Sequence, residues 1–257
     1  MAAIADVGER KLDIGRVIAQ TFSVLRTRGL LIFGLTLVLA GLPAVANLYF
    51  MRSAVRGGVA ALNQLSTVAY WFRLTIGIFV GSYLAVCLFF VAFSEASGRQ
   101  VSLGEIAARG LRLFLPLFIV NLLTVIAVVF GCFLLIVPGL FLATMWCVTG
   151  PALVAEPIGM FQAWGRSAEL TRNNRWRIFG LFAIVFVVLM IIDSLLGFFN
   201  VAALASGQLF SPMRLLTTVL ISIIFSAITY TGLAVLYAEL RQLKDGAGGE
   251  SLAAVFD

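Results

Sequence analysis

The sequence predicts an all-α fold: a polytopic bundle of about six transmembrane helices, with three interfacial amphipathic helices leading into them. Three observations carry this. Hydrophobic residues make up 61% of the chain and charged residues 12%, against about 25% charged in an ordinary soluble domain. A water-soluble globule of this size would lack the polar residues to cover its surface. Second, residues 113–155 contain no charge at all. A spanning helix needs about 20 mostly apolar residues, so this run alone suffices for two crossings. Third, the basic residues cluster on one side of the predicted spans.

The spans fall at residues 30–50, 72–93, 115–137, 140–155, 178–199 and 215–240. Between the third and fourth, Val137-Pro138-Gly139 predicts a tight turn, because proline followed by glycine continues a helix poorly. Pro43 and Pro151 predict kinks in the first and fourth spans. No secretory signal is expected, since residues 1–29 are polar and amphipathic. With the N-terminus placed in the cytoplasm, 14 of the 18 basic residues lie on the cytoplasmic side. Arg52, Arg56, Arg73 and Arg214 alone lie outside. This positive-inside bias predicts that both termini are cytoplasmic.

The cytoplasmic segments share a pattern. Ile14, Val17, Ile18, Phe22 and Leu25 fall near one helical face, as do Leu103, Ile106, Ala107, Leu111 and Phe114. Phe161, Trp164, Ala168 and Leu170 repeat the arrangement. Each basic, amphipathic stretch leads into a span, and such helices can lie among lipid head groups. One membrane domain, 1–257, with three units of leader, span and span follows, roughly 13–98, 99–157 and 158–245. The first and third units align without gaps at an offset of 146, with five identities over 22 positions, among them Ile32-Phe33-Gly34-Leu35 with Ile178-Phe179-Gly180-Leu181. The even spans end alike, at Ser94-Glu95, Ala155-Glu156 and Ala238-Glu239. Repeats of this kind often frame a membrane binding site, and they also arise as plain duplication.

Composition excludes much chemistry. There is no histidine, which removes the commonest general base near neutral pH and the commonest transition-metal ligand. Cys87, Cys132 and Cys147 lie in apolar segments with no zinc or redox spacing, and they read as packing residues. No cofactor or metal site is expected. The net charge of +6 sits beside membrane spans, where it points to anionic lipid head groups rather than nucleic acid.

The candidate functional residues are few. Asp193 lies inside the fifth span, where an ionisable group suggests function by default; near the outer interface it could instead reach water or Arg214. Glu95, Glu156 and Glu239 could form a ring of carboxylates at a vestibule. The preferred reading pairs each with a basic residue of a neighbouring amphipathic helix, pinning that helix to the bundle. Arg166, Arg172, Arg175 and Arg177 are the candidate head-group contacts. Asn121 and a stripe of Ser222, Ser226 and Tyr230 could line a polar path, and more commonly mark helix contacts, as does the small-residue series Gly77, Gly81, Ala85.

The second half carries Val137-Pro138-Gly139, Pro151, Glu156, Arg166-Ser167, Leu170-Thr171, Asn174 and Trp176-Arg177-Ile178. This series resembles the membrane domain fused to some bacterial glycerophosphodiester phosphodiesterases and found alone in small inner-membrane proteins. Ala168 stands where that family often has tryptophan, and Met145-Trp146 where it usually has arginine. The resemblance implies a six-span fold in a bacterial inner membrane. It does not carry the hydrolase activity, since the catalytic barrel with its histidines and carboxylates is missing. The expected function is a non-catalytic membrane module that binds lipid or a membrane protein partner in envelope maintenance or assembly. The alternative is a transporter or channel for a small or lipid-like solute.

Overall fold

The computed structural model describes residues 11–41, 43–45, 68–99, 101–205 and 212–245. Among them every regular element is helical. The helices are α1 (Ile14–Thr36), α2 (Val68–Ala96), α3 (Leu103–Leu134), α4 (Ile136–Trp146), α5 (Thr149–Ala155), α6 (Met160–Thr171), α7 (Arg175–Ala205) and α8 (Pro212–Asp245). Six stretches are long and apolar enough to cross a membrane: Ile14–Val45, Thr75–Ala96, Leu103–Leu134, Ile136–Ala155, Arg175–Ile192 and Val219–Asp245. The chain is a multi-pass membrane protein with an all-α bundle.

Local sequence sets the helix limits. The Asp13 carboxylate caps α1 by accepting from the Arg16 N–H at 3.2 Å. A non-helical residue, Arg28 (φ −110°, ψ 17°), divides the leader of α1 from its span. The helix then widens into a π turn, Leu37–Gly41, just before Pro43. A proline ring clashes with the carbonyl four residues earlier and offers no N–H, so the preceding turn opens. At the end of α2, Gly98 takes φ +66°. The Arg99 N–H bonds to the Ser94 carbonyl and the Gly98 N–H to that of Glu95, a Schellman ending that glycine allows. Ser102 and Glu105 cap α3 reciprocally. At 32 residues, α3 is ~48 Å long, well over the ~30 Å of a bilayer core.

The α3–α4 hairpin corrects the sequence expectation. The chain reverses at Leu135, a single extended residue (φ −159°, ψ 137°). Pro138 and Gly139 lie inside the first turn of α4. A proline there loses nothing, because the first N–H groups of a helix have no intrahelical partner. Gly139 has a packing role: a Cβ built on it would lie 2.7 Å from Cys132 Cα, and one on Gly131 would lie 3.1 Å from Gly139 Cα. Two backbones meet where side chains were expected to turn. The fourth span is itself broken at Cys147-Val148, between α4 and α5, just ahead of Pro151.

α2 is the axis of the bundle, packing against α1, α3, α5 and α8. Every side chain from 84 to 93 is buried. All of α5 is buried as well. The leaders do not float apart from this core. They dock by buried residues four apart: Val17, Thr21 and Leu25 on α1, Ile106 and Gly110 on α3, Ala163 and Ser167 on α6. The large residues expected on the same faces, Ile18, Phe22, Leu103, Leu111 and Phe161, point outward. α7 differs from the other spans, with α4 as its main neighbour.

Candidate functional site

One end of the bundle gathers the charges. Each of the three glutamates that close an even span meets an arginine. Arg28 on α1 donates to Glu95. Arg16 Nη1 donates to Glu239 at 3.1 Å, and the Glu239 side chain is 3% exposed. Arg166 on α6 donates through Nε to both oxygens of Glu156, at 3.0 and 3.2 Å. The pairs join leaders to spans, as the preferred reading expected, and no open carboxylate ring results.

Glu156 is the hub. It also accepts from the Tyr237 hydroxyl at 2.6 Å and lies 4.0 Å from Arg241 Nε. Arg166 meets Asp245 and, at 3.4 Å, Glu169. Arg241 lies 3.7 Å from Asp245. Burial alone would push the Arg166 pKa down, but the hydrogen bonds to Asp245 and Glu156 outweigh it and raise it. The guanidinium is fixed in its charged form. Sequence reasoning found Glu156 and missed Tyr237, Arg241 and Asp245. The signal was present: these three stand four residues apart on one face of α8.

The four candidate head-group arginines have different fates. Arg166 is taken up by three carboxylates. Arg177 Nη1 donates to the Leu12 carbonyl at 2.6 Å, while the Leu12 N–H donates to Asn174 Oδ1 at 2.9 Å. Together they fasten the start of α1 to the α6–α7 junction. Arg175 stacks over the Phe141 ring, 4.5 Å from its centroid. Arg172 lies exposed at the end of α6, with neither kind of contact among the described residues. The neighbouring motif residues are structural too: the Ser167 hydroxyl donates to the Met145 carbonyl at 2.8 Å and Thr171 to the same atom at 3.3 Å. Both serve the end of α4, where helical carbonyls run out of partners. Asp193 falls within α7, but its side chain lies outside the described residues, as do those of Thr218 and Arg214.

A second feature lies deeper. A cavity of about 780 Å³ opens among α2, α3, α4, α7 and α8. Valines 125, 128 and 129, Ala143, Phe182 and Leu233 give it an apolar wall. Its polar groups are few. Asn121 Nδ2 donates to Ser82 Oγ at 3.3 Å, Trp164 Nε1 donates to Thr124 Oγ1 at 2.8 Å, and Thr229 and Tyr230 complete the set. Gly77 and Gly81 also line the cavity, so this small-residue series holds space open instead of joining two backbones. Of the stripe Ser222, Ser226 and Tyr230, only Tyr230 reaches it.

The cavity does not run through the bundle. Toward the charged end, the buried stretch of α2, the whole of α5 and Tyr237 fill the interior. Among the described residues no three metal-ligating side chains converge. Comparison of the chain with family models, with curated proteins and with solved structures gave no match.

Proposed function

We propose that the protein is a non-catalytic lipid-binding module of a bacterial inner membrane, with the charged end in the cytoplasm. The observation that carries this is the cavity among α2, α3, α4, α7 and α8. Its volume of about 780 Å³ is in the range of ordinary ligand sites, and so is a mostly apolar wall with a few converging polar groups. An acyl chain fits the valine-lined wall. The amide of Asn121 and the hydroxyls of Thr229 and Tyr230 suit an ester or hydroxyl near its head. The positive-inside bias supports the orientation. The motif shared with the phosphodiesterase-associated membrane domain supports the membrane and the class.

Transport of a lipid-like solute is the second reading, favoured by the same cavity. In that reading the Arg28–Glu95, Arg16–Glu239 and Arg166–Glu156 pairs would have to part to open the filled end.

Gly77→Phe tests the first reading. A Cβ at Gly77 meets nothing within 4 Å, and the residue lines the cavity, so a large side chain there starts from open space. Native mass spectrometry of the gently purified parent should show a retained lipid enriched over the bulk membrane. The Gly77→Phe protein should lose it while unfolding at the parent's temperature. A parent that carries no enriched lipid, or a variant that retains it fully, would overturn the reading.

A further inference from the structure

A cavity of about 490 Å³ lies at the charged end, where the first turns of α3 pass the α5–α6 connection. Arg99, Arg109 and Arg112 all line it, over a floor that includes Phe90, Leu113 and Leu153. The Arg109 guanidinium is held above that floor, 5.2 Å from the Phe90 ring centroid, a cation–π arrangement that fixes its direction.

Two carboxylates share the lining, Glu105 and Glu156. Glu105 is occupied by Arg99 Nη2 at 3.1 Å and by the Ser102 N–H at 3.1 Å. Glu156 is shared with Arg166, Arg241 and the Tyr237 hydroxyl, none of which lines the cavity. Three guanidinium groups therefore face two carboxylates, one of which is already engaged by cations outside. Among the described residues that line it, positive charge outnumbers negative. In a partly dehydrated setting like charges repel appreciably, and a bound anion relieves that repulsion.

The surroundings say what kind of anion. Leu103 and Leu111, on the same turns of α3, are 67% and 68% exposed. Exposed leucines beside arginines place this segment at the boundary between acyl chains and head groups. A tetrahedral phosphate there can accept from several planar guanidinium forks at once.

We propose that Arg99, Arg109 and Arg112 form a binding site for a phosphate group at the membrane surface, borne by an anionic phospholipid or free in solution. The site is separate from the cavity among the spans, and it stands whether or not a lipid occupies that cavity.

The experiment uses the full chain and the double variant Arg109→Gln/Arg112→Gln. Arg26→Gln/Lys244→Gln serves as control, since it removes the same charge from two exposed positions elsewhere. Each protein is placed in nanodiscs of phosphatidylcholine with and without phosphatidylglycerol, and retained lipid is read by native mass spectrometry. Inorganic phosphate binding is measured in detergent by equilibrium dialysis. For a head-group site, the double variant retains at least about tenfold less phosphatidylglycerol than the parent, as loss of charge-assisted hydrogen bonds implies. The control stays at the parent's level. For a free-phosphate site, saturable phosphate binding by the parent disappears in the double variant alone. Parent-like retention and parent-like phosphate binding in the double variant would overturn the proposal, and so would an equal loss in the control. Arg112→Gln alone changes an exposed side chain and supplies the same readout should the double variant fail to fold.

Discussion

α2 and α7 are equally apolar spans with opposite surroundings. Along α2, every side chain from 84 to 93 is buried among α1, α3, α5 and α8. Along α7, Ile184, Val185, Phe186, Val187, Val188 and Met190 are all exposed, with α4 as the main neighbour. In water such a face would be a fault. In a bilayer the lipid tails are as apolar as leucine, so burial inside the protein gains little from hydrophobicity. What holds the bundle together must come from packing and from polar contacts. Those concentrate where α2 ends, at Glu95, Glu156 and Glu239, and among the described residues they thin out along α7.

If that is right, the largest single loss lies at the hub. Glu156→Ala leaves Arg166 and Arg241 close together at the charged end with Asp245 alone between them, and it strands the Tyr237 hydroxyl. Removing one partner of a buried ionic network costs about 3–5 kcal/mol, readable by unfolding the detergent-solubilised protein with increasing SDS. A variant as stable as the parent would show that the charged end is not the fastening point.

Next comes a direct comparison of the two spans. Leu88→Ala, at a site with 0% exposure, should cost about 2–5 kcal/mol in the same titration. Val187→Ala, 54% exposed, should stay within about 0.5 kcal/mol. A loss at Val187 as large as that at Leu88 would break the comparison and show α7 to be covered by another chain. A loss smaller than those at Glu156 and Leu88 is expected at the hairpin. Gly139→Ala pushes a methyl group into the Cys132 backbone and should cost about 1–3 kcal/mol as overpacking. A neutral result would mean that α3 and α4 can separate freely.

The sequence made the spans legible because hydropathy over 20 residues reports which segments leave water, whatever their neighbours. It could not tell α2 from α7, since lipid and protein interior favour the same residues. The glutamates were legible as a set by their shared position after a small residue. Their arginines were not, because Arg16, Arg28 and Arg166 look no different in sequence from Arg26 or Arg172. The Pro138-Gly139 turn was misplaced for a related reason. Proline is tolerated in the first helical turn as readily as in a loop, and glycine serves close packing as readily as reversal. The arginines lining the α3 cavity read only as topology signals until Phe90 and the α5–α6 connection were seen beside them.

The pair of bonds that holds Leu12 bears on how the molecule is made. Its N–H and carbonyl are satisfied by Asn174 and Arg177, 162 and 165 positions further along. Because synthesis runs from the N-terminus, α1 enters the bilayer long before the residues that will lock it exist. Three further spans must be inserted and packed while that first helix waits with its leading backbone groups unmet. Completion of the bundle is therefore a late event in biogenesis. A ribosome stalled before Asn174 would leave α1 inserted with its N-terminal end unfastened, exposed to membrane quality control.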